Sequence, residues 1–239
     1  MFKLKYNANM KKLLQILLLS LGLIGCASLD SLESIEFSSS PAIAETKKIL
    51  ALGLTHTENL SEARKLTDPT LVSEVVQELK TRNDNARIEA EKVAKYAEKV
   101  KVSDSNSKFI GPEINERKKM GLLINSDYED YFLQGSINNG LIQHQLHLSI
   151  KYTSDNFRNY YSASFSDENQ VDITLISSSA VGCSGSSCDY TEVMELNLSD
   201  DFLRSNMEMG FSIVFNSKKS TNKITIPSNY IKGYLKVAK

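Results

Sequence analysis

A change of period near residue 128 constrains this chain most. Before it, apolar residues recur every three or four positions, as on one face of a helix; after it they alternate, as on one face of a strand. A single switch of this kind separates helices from an antiparallel sheet. The sequence therefore predicts an α+β fold. A helical section over 40–102 and a connector over 103–127 precede an antiparallel β-sandwich of about seven strands over 128–239, closed by a C-terminal helix.

In the helical section, Ser40-Pro41 and Asp68-Pro69 place a capping side chain directly before a proline, the preferred order at a helix start. Helices are expected over 41–54, 60–66 and 69–102. Val72, Val76, Leu79, Asn83, Ala86, Ala90, Val93, Ala97 and Val100 follow one another in steps of four and three, a heptad seam. The seam serves either packing within the chain or a coiled-coil partner. Tyr96 and Ile88 lie off it, and Glu78–Arg82 and Glu91–Lys95 are spaced for ion pairs one turn apart. In the connector, Gly111-Pro112 is read as opening a short helix through Met120.

The alternating section divides into strands at 128–137, 141–153, 160–165, 171–178, 190–198, 209–216 and 223–226. Asn138-Asn139-Gly140 reads as a hairpin turn, because Asn-Gly accepts positive φ. The rows Leu146/Leu148/Ile150, Val171/Ile173/Leu175, Met194/Leu196/Leu198 and Phe211/Ile213/Phe215 are expected to face inward. Ser199-Asp200-Asp201 caps a short turn carrying Phe202 and Leu203. Tyr230, Ile231, Tyr234, Leu235 and Ala238 form the apolar stripe of the closing helix. With so much patterning of its own, the section from Asp127 onward is expected to fold without the helices.

Ahead of the helices, Lys11 and Lys12 precede the apolar run Leu13 to Gly22, which ends in Leu23-Ile24-Gly25-Cys26. This is the order of a secretory signal, and the run is too short and glycine-broken for a span of ~20 apolar residues. Leu23-Ile24-Gly25-Cys26 resembles the lipobox of bacterial lipoproteins. The resemblance implies that residues 1–25 are a signal peptide and that Cys26 becomes the acylated first residue. It would carry a diacylglyceryl group and an N-acyl chain such as palmitate, which together anchor firmly where one chain would not. Ala27, where Asp would imply retention in the inner membrane, implies the outer membrane with the protein facing the periplasm. Residues 26–39, Ser-rich and acidic, are then a flexible tether. With Cys26 lipidated, Cys183 and Cys188 remain to pair in an oxidising compartment.

Charge excludes one class of partner. Lys3, Lys5, Lys11 and Lys12 all lie in the first 25 residues, which hold no acid, so the remainder carries 24 basic against 29 acidic residues. An acidic body offers nothing to nucleic acid.

Few residues suggest chemistry. His144 and His147, three apart in a strand, point to opposite faces, so no shared metal site is expected. His144 travels with the inward Leu146, and Glu192 with Tyr190 and Met194; the two could meet across sheets, as a structural polar pair or as the acid/base dyad of an envelope hydrolase. Phe157, Tyr160 and Tyr161 beside Arg158 could contact a sugar or peptide, or be half-buried strand. Gly182 to Cys188 forms a Ser/Gly loop that a disulfide would order, a contribution of about 2 kcal/mol. Nucleophile-elbow, phosphate-loop, zinc-protease and dinucleotide motifs are absent from the sequence. These features predict a cofactor-free, non-catalytic binding or assembly module, attached to the membrane by lipid and partnered with an envelope protein or cell-wall component.

Overall fold

The computed structural model describes residues 40–105, 107–117, 127–165 and 170–239. The lipobox, Cys26 and the tether lie outside the described residues. The chain forms two compact units that divide at Arg82 and Asn83, inside a helix.

The first unit holds α1 (Pro41–Leu50), α2 (His56–Ala63) and the first part of α3 (Pro69–Glu98). Ser40 caps α1 by accepting from the Ile43 amide, with Pro41 in the first turn. Helix α1 stops short of the expected Leu54 because Gly53 turns the chain at φ +68°. Helix α2 starts four residues earlier than expected, at a capping box: the Glu58 amide donates to Thr55 Oγ1, and Glu58 Oε2 accepts from the Thr55 amide at 2.8 Å. Asp68 caps α3 by accepting from the Thr70 amide at 2.8 Å. Ala42, Ile49, Ala63, Val75 and Leu79 make the unit's small core.

The long helix does not bury its whole heptad seam. Of the seam, Leu79 is buried in the first unit beside Val75, which lies off it, Val72 and Val76 are half-buried there, Val93 and Ala97 are half-buried in the second unit, and residues 80–92 are exposed. Glu78 pairs with Arg82 as expected, whereas Glu91 pairs with Arg87 rather than Lys95.

The second unit is a sandwich. Among the described residues its larger sheet has seven strands: β1 (Lys101–Val102), β2 (Lys108–Ile110), β4 (Tyr128–Asn138), β5 (Leu141–Ser154), β9 (Ser187–Leu198) and β8 (Thr174–Ser184) in that spatial order, with β3 (Ile114–Arg117) also on β4. The smaller sheet has four, ordered β11 (Thr221–Ile226), β10 (Phe211–Asn216), β6 (Ser162–Phe165) and β7 (Gln170–Val171). Every pairing is antiparallel. The expected hairpin joins β4 to β5 with Asn138 opposite Leu141 and positive φ at Asn139 and Gly140.

One core joins both sheets to α4 (Asp200–Ser205) and the closing helix α5 (Ser228–Val237). The rows at 146/148/150, 194/196/198 and 211/213/215 are buried as expected. Leu175 is not. It lies on β8, at the sheet margin, and every residue of that strand is exposed.

The segment read as a connector helix is instead sheet. Strand β3 pairs along Tyr131 to Tyr128 of β4, while β2 pairs along Ser136 to Gln134. Between them Pro112 has no N–H to give, and the Tyr230 hydroxyl fills the gap: it accepts from the Leu133 amide at 2.9 Å and donates to the Pro112 carbonyl at 2.9 Å. The same ring meets Tyr96 edge-on at 5.2 Å. Gly233 lets α5 approach α3 this closely, since a Cβ there would lie 2.8 Å from the Val93 carbonyl oxygen. Residues 83–117 thus belong to the sandwich unit, not to a separate neck and linker. Residues 118–126 of the connector lie outside the described residues.

Candidate functional site

The inward rows carry their polar residues at two ends of the sandwich, and these are the candidate sites.

At one end, His144 is buried on β5, with its Nδ1 2.9 Å from the Tyr234 hydroxyl on α5 and its Nε2 3.1 Å from Asp200 Oδ1 on α4. Asp200 Oδ2 in turn accepts from Arg204 Nε at 2.7 Å. Gly135 on the adjacent strand is required here, because a Cβ would lie 2.4 Å from the Tyr234 hydroxyl and 3.0 Å from His144 Nδ1. Burial lowers the imidazole pKa; Asp200 opposes the shift and Arg204 adds to it. Burial likewise raises the Tyr234 pKa, so the phenol keeps its proton. A neutral ring satisfies the geometry, with Nε2–H donating to Asp200 and Nδ1 accepting from Tyr234. Both nitrogens are then engaged, and the ring locks two helices to the large sheet.

This lock carries a pH dependence with a definite sign. The folded-state pKa lies below the ordinary imidazole value of about 6.5, so the folded state binds fewer protons than the unfolded one. The lock's contribution is complete above that value and is lost as pH falls through it toward the folded-state pKa. Asp200, held below the usual carboxylate range chiefly by Arg204, stays ionised through this window. The urea midpoint is therefore expected to drop between about pH 7.5 and about pH 5.5, and His144→Gln should flatten that drop. An equal drop in both proteins would place the titrating group elsewhere.

At the other end, Glu129 on β4, Ile150 on β5 and Glu192 on β9 form one row across three strands. Both carboxylates are buried. Arg158, in the crossover from β5 to β6, closes this end. Its Nη1 and Nη2 donate to Asp127 at 2.5 and 2.9 Å, Nη1 also reaches Asn222 Oδ1 at 3.2 Å, and the guanidinium lies 4.0 Å over the Tyr152 ring. Asn222 Nδ2 donates to Asp127 at 3.0 Å and to Glu129 at 2.8 Å. Tyr152 donates to Glu192 Oε2 and accepts from the Arg158 amide at 2.8 Å. Tyr160 donates to Asn222. Burial alone would weaken the guanidinium's hold on its proton, but Asp127 and Tyr160 together outweigh it and the pKa is raised. Burial and Glu192 raise that of Tyr152. The network ties both sheets to the crossover.

His144 and Glu192 therefore do not meet. They lie on the inward face of the same sheet, where Glu192 stands opposite Ile150, six positions along β5 from His144. At ~3.4 Å per residue the separation is roughly 20 Å. Each has other partners, so no acid/base dyad forms between them. The aromatic group beside Arg158 also divides: Tyr160 is buried, Phe157 packs on Tyr190 at 4.5 Å, and Tyr161 is exposed. His147 sits on the opposite face from His144, stacked on Phe132 and 3.3 Å from Glu195. Among the described residues no cluster of His, Cys, Asp and Glu is arranged to hold a metal.

Cys183 and Cys188 are bonded, S–S 2.04 Å, across the tip of the β8–β9 hairpin. The turn is tighter than the expected loop, with Ser184 opposite Ser187 and positive φ at Gly185.

Sequence reasoning missed Arg158, Asp127, Tyr152 and Asn222 as partners. A signal was present: Glu129, Tyr152 and Asn222 interrupt inward rows near one end of their strands, and Glu192 interrupts one in mid-strand.

The fold and its two polar ends define an α+β protein whose helix-closed sandwich carries a disulfide at a hairpin tip. No family model, curated protein or solved structure matches the chain. Among the described residues no helix is long and apolar enough to cross a membrane.

Proposed function

We propose that this chain is a lipid-anchored protein of the bacterial outer membrane, facing the periplasm, whose folded part is a non-catalytic binding or assembly module. The observation that carries the anchoring is the Lys11-Lys12 start and apolar run ending in Leu23-Ile24-Gly25-Cys26. The Cys183–Cys188 bond is consistent with an exported protein. The non-catalytic reading is supported by the two polar ends, most of whose side-chain atoms bond one another or the backbone, although Glu192 Oε1 is buried without a hydrogen-bond partner. Its partner is an envelope protein or a cell-wall component.

Cys26→Ser tests the anchor. The wild-type protein should incorporate labelled fatty acid and fractionate with outer membranes, and the variant should lose the label and leave the membrane fraction. Label retained by Cys26→Ser would end the lipoprotein reading. Label lost with membrane attachment intact would show that something other than acyl chains holds the protein.

A further inference from the structure

The turn between α1 and α2 exposes leucine. Leu50, Leu52 and Leu54 are 39%, 58% and 38% exposed, and no other five consecutive residues among the described ones expose three large apolar side chains. Single exposed leucines are ordinary, whereas a cluster marks a contact surface. A Cβ at Gly53 would meet nothing within 4 Å, so the tip of the turn borders open space. Its backbone is largely satisfied from within. The Ala51, Leu52 and Gly53 amides donate to the Lys47, Ile49 and Leu50 carbonyls, and the Thr55 amide donates to Glu58. The Leu54 carbonyl accepts from Asn59 Nδ2 at 3.2 Å. These groups can leave water without losing their partners, the condition for entering lipid. Charge around the tip has one sign. No acid lies between Glu45 and Glu58, Glu58 is bonded back to Thr55, and Lys47 and Lys48 are exposed in the last turn of α1, with Lys48 beside Glu45.

We infer that this turn dips Leu50, Leu52 and Leu54 into the leaflet that holds the Cys26 acyl chains, with Lys47 and Lys48 at the headgroups. The inference deepens the anchoring proposal and rests on it. Chain length selects the bilayer as the occupant. The 14 residues from Cys26 to Ser39 join the anchor to α1 and can span up to ~48 Å. Helix α1, 10 residues, is about 15 Å long. The turn at its far end can therefore reach the leaflet with the helix upright, and the anchor keeps it at high local concentration there. The unit's charge permits the approach. Residues 40–82 carry six basic and six acidic residues, so the acidic excess of residues 26–239 lies elsewhere and does not repel this unit from anionic headgroups.

The chain contains no tryptophan, so one introduced indole reports alone. Residues 26–239 carrying Leu52→Trp are made without acylation and coupled to maleimide lipid through Cys26, the one thiol outside the Cys183–Cys188 bond. The vesicles are phosphatidylethanolamine and phosphatidylglycerol. Coupling should shift the Leu52→Trp emission to shorter wavelength with an unchanged circular dichroism spectrum. Brominated acyl chains should quench it several-fold more than they quench the exposed control Lys218→Trp. Emission that stays as in the uncoupled chain, or equal quenching at 52 and 218, would overturn the inference. So would a shift that appears only when envelope extract is added, since a protein would then occupy the turn. The coupling stands in for acylation, so this result is independent of the fatty-acid labelling of Cys26→Ser, and the two proposals fail separately.

Discussion

Arg158→Ala is expected to destabilise the sandwich by about 3–5 kcal/mol, the usual consequence of removing one partner of a buried ion pair. In a unit of this size that corresponds to a fall of about 10 °C or more in melting temperature. Arg158 and Asp127 are both mostly shielded from water. Without the guanidinium, the Asp127 carboxylate keeps Asn222 but loses the two charge-assisted bonds from Arg158, beside a second buried carboxylate at Glu129. Tyr152 loses the cation over its ring, and the crossover loses its side-chain anchor. Asp127→Asn in the same background should restore part of the loss, because the buried charge that faced Arg158 goes with it. Urea unfolding of the wild type, both single variants and the double variant separates the contributions. A loss below ~1 kcal/mol, as for an exposed pair, would show that the network does not bind the sheets together.

The parts of this fold that were legible in the sequence are those where a local pattern faces a guaranteed partner. Leu146, Leu148 and Ile150 alternate on a central strand covered by the other sheet, so alternation and burial coincide. Leu175 alternates equally well, but its strand is the last in the sheet, and no pattern within a strand reports its place in the order. Residues 114–117 read as helix because Gly-Pro precedes them, and they are a strand because β4 has an open edge there. The choice was made by a partner further along the chain. The site shows the same division. That His144 and Glu192 point inward followed from period alone. Their partners did not: Asp200 and Tyr234 lie 56 and 90 residues beyond His144, on elements whose docking the sequence leaves open. The capping box at Thr55 and Glu58 was local and readable, and the periodicity of the later leucines obscured it.

The fragment Asn83–Lys239 is expected to fold and melt cooperatively, and the fragment Asp127–Lys239 is not. Alternation alone suggested the shorter boundary, but residues 83–117 are built into the sandwich. Phe109 is buried in its core, and Tyr96, Val100 and Ile114 pack against it. Burying one such side chain contributes about 1.5–3 kcal/mol when complete, so these four together approach the 5–15 kcal/mol of a typical domain. Starting at Asp127 also strips β1, β2 and β3 from β4 and uncovers Gly233 and Tyr230, which α3 covers. The Leu133 amide keeps its bond to Tyr230 only if α5 stays docked, and the face of α5 that met α3 would be wet. The shorter fragment should therefore give a broad transition, poor amide dispersion and exposed apolar surface. The longer one should match the melting of the corresponding transition in the full chain. If both fragments melt sharply at the same temperature, the α3–α5 contact and the first three strands are peripheral, and the sandwich core ends at β4.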